Sequence, residues 1–138
     1  MATVRREILV AVAPSRVWEA IRDIGAAHVR LFPGILLDVR RDADGRTATF
    51  ASGLVVRELT VELNDDLRRY AWAASGGGAT HHNASLQVFE AQDGGSRIVW
   101  VTEFLPDEIH AAIEALIDAG AAVMRATLES DARASASS

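Results

Sequence analysis

The sequence predicts an α+β domain in which a curved antiparallel sheet packs against one long helix. Two observations lead to this fold class. Residues 35–105 contain a series of β-like segments broken by short turn signals such as Asp44-Gly45. From Ile109 to Leu128 apolar residues recur instead at helical spacing. Connections of hairpin length favour antiparallel pairing, and the long amphipathic helix needs a partner for its apolar face.

Before the strand series, the chain predicts one strand and two short helices. Residues 3–12 combine β-branched side chains with partial alternation, which indicates a strand. Pro14 then suits the first turn of a helix, where its missing N–H would have no partner. An apolar stripe at helical spacing follows, and Gly25 ends it. A short second helix is expected at about residues 26–31.

Six further strands and the long helix complete the expected order β-α-α-β6-α. The six strands are expected at residues 35–42, 46–52, 54–63, 67–74, 81–91 and 97–105. From Pro106 the pattern changes, and Asp107 and Glu108 stand in the first turn, where acids favour the positive end of a helix dipole. We expect one domain over residues 1–129 and a flexible polar tail over residues 130–138.

The composition excludes several kinds of chemistry. The 138 residues include no Cys, and all 14 basic residues are Arg. Without Cys there is no disulfide, thiol nucleophile or iron–sulfur cluster, and without Lys there is no Schiff base. A metal site built from His28, Glu58 and His81 or His82 would lack any established ligand spacing. We therefore expect neither a metal nor a cofactor.

The charge and hydropathy pattern restricts the partners. A net charge of -5 argues against a nucleic acid, which requires a basic face. No apolar run approaches the roughly 20 residues that span a bilayer. The Lys-free, Arg- and Ala-rich usage is typical of GC-rich bacteria, so we expect a cytoplasmic bacterial protein, either a monomer or a homodimer.

Three segments resemble one superfamily. Residues 13–35 (APSRVWEAIRDIGAAHVRLFPGI), 55–72 (VVRELTVELNDDLRRYAW) and 94–109 (GGSRIVWVTEFLPDEI) are similar to the helix-grip, START-like superfamily (SRPBCC). That superfamily includes polyketide cyclase/dehydrase and lipid-transport proteins. The resemblance covers about residues 3–129. It implies about seven strands wrapped around the C-terminal helix and a mostly apolar cavity for a small hydrophobic molecule, but no universal catalytic motif.

Strand alternation predicts which side chains face the cavity. In the last strand the inward set is Ile98, Trp100, Thr102 and Phe104. In the strand before it, the apolar alternation takes His82 inward and leaves His81 outside.

Alternation in residues 54–63 predicts a different inward charge. The apolar members are Val55, Leu59, Val61 and Leu63. Placing them inside carries Arg57 inward and directs Glu58 outward, unless a bulge shifts the register.

Three functions remain open on these grounds. The first is binding of a small hydrophobic molecule, with His82, Tyr70 or Arg57 fixing its orientation. The expected apolar lining is Phe32, Leu36, Trp72, Leu86, Trp100, Phe104, Ile113, Ile117 and Met124. The second is a metal-free cyclase or dehydratase in which His82 or Tyr70 transfers a proton and Arg57 stabilises an enolate. The third is a non-catalytic homodimer that pairs through Val99 and Val101 on the outer sheet face.

Overall fold

A computed structural model describes residues 1–137 and has the predicted order of elements. The helices are α1 (Pro14–Arg22), α2 (Ala27–Arg30) and α3 (His110–Ser137). The strands are β1 (Ala2–Val10), β2 (Leu36–Arg41), β3 (Gly45–Phe50), β4 (Val55–Asn64), β5 (Arg69–Ser75), β6 (His81–Glu90) and β7 (Ser96–Leu105). The predicted fold class, a curved antiparallel sheet with a long C-terminal helix, is confirmed.

The seven strands form one antiparallel sheet in the order β1-β7-β6-β5-β4-β3-β2. Strands β2 to β7 follow each other as neighbours because short turns connect them. β1 completes the sheet by pairing along β7, from Ala2 opposite Phe104 to Val10 opposite Ser96. The predicted alternation in β6 and β7 is present, since His82 and Trp100 lie on the face that carries the core.

Helix α3 covers the concave face of the sheet. Its buried stripe is Ile117, Met124 and Leu128. On its flank, Arg6 of β1 donates to Asp118 at 2.7 Å and to Glu114 at 2.9 Å. These exposed contacts connect the first strand to the last helix, while the buried stripe provides most of the packing.

The flexible tail expected over residues 130–138 stays a prediction, and the structure gives residues 130–137 a helical backbone. Helix α3 continues through residues 130–137, because these residues include no Gly or Pro and Ala is the strongest helix former. Ala132 also packs against the core from this last part of the helix. Ser138 lies outside the described residues.

The direction predicted for the side chains of β4 is wrong. Val56 and Glu58 are buried, whereas Val55, Leu59 and Val61 are 46–67% exposed. A bulge between Thr60 and Glu62 then shifts the pairing with β5 by one residue. After the bulge Leu63 packs against the core as predicted. The rule that the face with more apolar residues points inward therefore fails for most of this strand.

Gly45 offers a test of the close approach between β3 and β4. A Cβ at Gly45 would lie 2.1 Å from the carbonyl oxygen of Glu58, which is backbone and cannot move aside alone. We expect Gly45→Ala to lower the free energy of unfolding by about 2 kcal/mol or more. Gly78→Ala is the control, because its Cβ would meet only Ile109 at 3.9 Å. Urea unfolding followed by tryptophan fluorescence compares them, and equal stabilities would contradict this packing.

Candidate functional site

A cavity of about 80 Å³ lies between the concave sheet face and helix α3. Its wall combines apolar side chains with a small number of polar ones. The lining residues are Phe32, Ile35, Leu36, Arg46, Phe50, Glu58, Trp72, His82, Ala84, Trp100, Thr102, Leu116, Ile117 and Gly120. Leu116 is 39% exposed, so the cavity opens to solvent beside the first part of α3. Such an apolar concavity with few convergent polar groups is typical of small-molecule sites.

A buried ion pair forms one polar part of the wall. Arg46 of β3 and Glu58 of β4 are opposite each other in the strand pairing. Arg46 Nε donates to Glu58 Oε1 at 2.7 Å, and the two side chains are only 5% and 11% exposed. Arg46 also donates from Nη1 to the carbonyl oxygen of Ile24 at 3.0 Å. These bonds compensate the desolvation of both charges.

Two aromatic rings support the arginine. The Arg46 guanidinium lies 5.2 Å from the centre of the Tyr70 ring and 5.6 Å from that of Trp72. The two rings stack on each other at 5.0 Å. Their electron-rich faces stabilise a cation that has little contact with water. The position of Arg46 is therefore fixed by an ion pair, a carbonyl and two rings.

His82 and Thr102 form the second polar part. The Nε2 atom of His82 lies 2.7 Å from the Thr102 hydroxyl oxygen, and that hydroxyl donates to the carbonyl of Asn83 at 3.3 Å. Burial lowers the pKa of His82 below its usual 6.5, while the charge of Glu58 opposes the shift. The imidazole is therefore neutral at pH 7. A Thr102 hydroxyl that donates to Asn83 favours the tautomer with hydrogen on Nε2, which leaves Nδ1 as an acceptor.

The structure places six of the predicted site residues on the cavity wall. They are Phe32, Leu36, Trp72, His82, Trp100 and Ile117. Leu86, Phe104 and Met124 are fully buried in the core, and Ile113 packs beside it, so these four are away from the wall. Tyr70 is also fully buried behind Trp72. Burial raises the pKa of its phenol, which stays protonated at neutral pH.

Arg57, predicted to face the cavity, lies on the opposite side of the sheet. It forms an ion pair with Asp42 in the β2–β3 turn, with Nη2 donating at 2.8 Å. The guanidinium lowers the pKa of the Asp42 carboxyl. The inward direction was wrong because Glu58, rather than Arg57, occupies the concave face of β4.

Sequence reasoning missed Arg46, although a signal for it was present. Arg46 shares strand parity with Ala48 and Phe50, the apolar members of its segment. Glu58 was noted as polar but directed outward. Because the two residues satisfy each other, neither could be recognised as buried until the pairing of β3 with β4 was known.

The outer sheet face also differs from the expectation. Val99 is buried and Val101 is partly buried, so they do not present the exposed surface that the homodimer hypothesis used. Exposed apolar side chains of the sheet lie on other strands instead, at Leu9, Leu37, Val55, Leu59 and Val61. The homodimer stays a prediction.

Residues 1–137 match the family model described as polyketide cyclase/dehydrase and lipid transport. The chain belongs to this family. The resemblance predicted from the three segments is thereby confirmed, over almost the whole chain. A search of curated proteins finds no match to this chain.

Solved structures share the fold. A Thermobifida fusca protein is 27% identical over 94% of this chain and 91% of its own, with a TM-score of 0.74. An aromatase/cyclase from Streptomyces is 15% identical over 96% of this chain and 93% of its own, with a TM-score of 0.79. A truncated norcoclaurine synthase from Thalictrum flavum is 20% identical over 93% and 91%, with a TM-score of 0.71.

Two features are absent from the part of the chain that the structure describes. Within residues 1–137, no cluster of three or more His, Asp or Glu side chains could hold a metal ion. Over the same residues, no helix is long and apolar enough to cross a membrane.

The ion pair can be tested with two matched arginine substitutions. Arg46→Met leaves the Glu58 carboxylate buried without a partner, and we expect a loss of about 3 kcal/mol or more in unfolding free energy. Arg57→Met breaks an exposed pair on the neighbouring strand and should cost about 1 kcal/mol or less. Urea denaturation measures both. A double Arg46→Met/Glu58→Leu variant should regain most of the loss, and equal losses for the two single variants would refute the register of β4.

His82 should make stability depend on pH in a defined direction. Because the folded pKa of His82 lies below the usual 6.5, the unfolded chain binds a proton first as the pH falls. The contribution of neutral His82 to folding stability is therefore complete above pH 6.5 and is lost progressively as the pH falls below it. We expect the melting temperature of the native protein to fall relative to His82→Gln between about pH 7.5 and about pH 5. A constant difference across this range would disprove the buried neutral state.

Proposed function

We propose that this protein binds a small, mostly apolar molecule in the cavity between the sheet and α3. One observation carries the proposal: an apolar wall encloses two polar pairs that are held in place by other residues. Trp72 and Trp100 offer aromatic surface, and Ile117 covers them from the helix. Burial of apolar ligand surface would supply most of the binding free energy.

The volume favours a small occupant. At about 80 Å³ the cavity is below the roughly 300–1,000 Å³ of pockets that take drug-sized ligands. A single aromatic ring with short substituents suits it better than a long polyketide chain. A larger ligand requires side chains at the open side, such as Leu116, to move outward.

The polar groups would orient the ligand. Neutral His82 offers Nδ1 as an acceptor, and the Arg46–Glu58 pair presents fixed charge at the wall. Their positions do not have to be reorganised on binding, because hydrogen bonds already hold them.

A cavity-filling substitution tests this site. Ala84 of β6 lines the cavity, while its neighbour Ser85 points away from it. We expect Ala84→Leu to weaken binding of the probe acetophenone by about 10-fold or more, because the added side chain occupies the ligand volume. Ser85→Leu is the matched control and should bind as the native protein does.

Ligand-observed and protein-observed NMR titrations would measure these affinities. Native mass spectrometry of the freshly purified protein would show whether a small molecule co-purifies. Binding that is unchanged by Ala84→Leu would place the ligand elsewhere and reject the proposed site.

An enzymatic function of the cyclase or dehydratase type is the second candidate. The neutral His82 on the wall favours it, since a neutral imidazole can take a proton at pH 7. In such a reaction Nδ1 would remove a proton from the carbon beside a ketone. The electron pair moves onto the ketone oxygen, and Arg46 would stabilise this enolate in place of Arg57, which lies outside.

Deuterium exchange distinguishes an enzyme from a binder. In D₂O, enolisation of bound acetophenone replaces its methyl hydrogens, which NMR follows directly. We expect His82→Gln to slow the protein-dependent exchange by about 100-fold while leaving acetophenone affinity within a few-fold. If the native protein binds acetophenone without accelerating exchange, the binding function stands and this proton transfer does not.

A further inference from the structure

The polar groups on the cavity wall differ in how they are satisfied. Arg46 bonds to Glu58 and to the Ile24 carbonyl, and His82 bonds to Thr102. The indole of Trp100 is the exception on this wall. Its Nε1–H is buried and has no hydrogen-bond partner among the residues that the structure describes. Trp100 as a whole is 7% exposed.

The ring of Trp100 is held firmly by its surroundings. A Cβ at Gly120 of α3 would lie 3.0 Å from Cη2 and 3.2 Å from Cζ3, so the benzo edge of the indole lies directly against the helix backbone at the glycine. Phe32 packs beside it at a ring separation of 5.6 Å. The absence of a side chain at Gly120 therefore provides the space for Trp100.

This packing engages only one part of the indole. Cη2 and Cζ3 belong to the six-membered ring, whereas Nε1 is in the five-membered ring. The helix contact thus lies on the six-membered ring. The N–H itself is buried without a partner, so a ligand oxygen reaches it only when neighbouring side chains move. An indole N–H can only donate, and a buried donor without an acceptor is unfavourable. A site with a single unused donor is complementary to a ligand with an acceptor.

We infer that Trp100 Nε1 donates to a carbonyl or ether oxygen of the bound molecule and thereby selects oxygenated ligands over hydrocarbons of the same shape. The inference rests on the proposed binding function and makes it more specific. Trp100 is a specificity-determining residue, since its hydrogen bond forms only with ligands that carry an acceptor. The aromatic wall supplies affinity for both kinds of molecule.

Two probes of equal shape separate the hydrogen bond of Trp100 from the apolar contribution to binding. Acetophenone has a carbonyl oxygen where α-methylstyrene has a CH₂ group, so only the former accepts a hydrogen bond. The quantity measured is the ratio of their dissociation constants for each variant. We expect Trp100→Phe to shift this ratio by about 5-fold against acetophenone, the effect of one net hydrogen bond. Because both probes experience the same change in cavity volume, the ratio removes that effect.

Trp18→Phe is the matched control. Trp18 lies on α1, and its indole N–H donates to Asp65 at 2.8 Å. It is not among the residues that line the cavity. This variant should leave the ratio unchanged. In ¹H–¹⁵N spectra, acetophenone should move the indole N–H resonance of Trp100 downfield, whereas α-methylstyrene should not. The Trp100→Phe spectrum assigns that resonance by its disappearance.

The three possible results of this experiment lead to different conclusions. Failure of both probes to bind would overturn the proposed function and this inference together. Binding of both probes with a ratio unchanged by Trp100→Phe would overturn the inference and leave the binding function intact. An altered ratio together with the selective downfield shift supports it.

Discussion

The buried Arg46–Glu58 pair is the constraint on which the rest of the site depends. The two residues stand opposite each other in β3 and β4, so their bond fixes the register of these strands. Desolvating two charges is costly, and the surroundings compensate for it with a carbonyl and two aromatic faces. An apolar pair of similar volume would fill the same space without the cost of desolvating two charges. The two charges are therefore better explained by the cavity that they face than by a gain in stability.

The cavity results from this arrangement and from one glycine. Two charged side chains interrupt the apolar wall on the sheet side, while Gly120 lets Trp100 lie directly beneath α3. The remaining space is small and is bordered by aromatic surface, a neutral imidazole and an indole N–H. The fold is shared with an aromatase/cyclase and a synthase of very different sequence, so the proposed binding rests on the residues of the cavity wall rather than on the fold.

Much of the fold could be predicted from local signals. Turn pairs such as Asp44-Gly45 separated the strands, and the helical spacing after Pro106 identified α3. The parity of β6 and β7 also placed His82 and Trp100 on the concave face. These predictions succeeded because Ala84, Leu86 and Val88 alternate with polar residues in β6, and because the bulkier side chains of β7 share one parity.

The amino-acid sequence by itself determined the order of elements, the curved antiparallel sheet and the aromatic part of the cavity, since each follows from periodicities that nearby residues set. Only the tertiary structure decided the charged part, the Arg46–Glu58 pair. On β4 the buried face carries Glu58 and the exposed face carries apolar residues, which reverses the usual rule. A charge is stable inside only when a partner from another strand meets it, and no single segment contains that information.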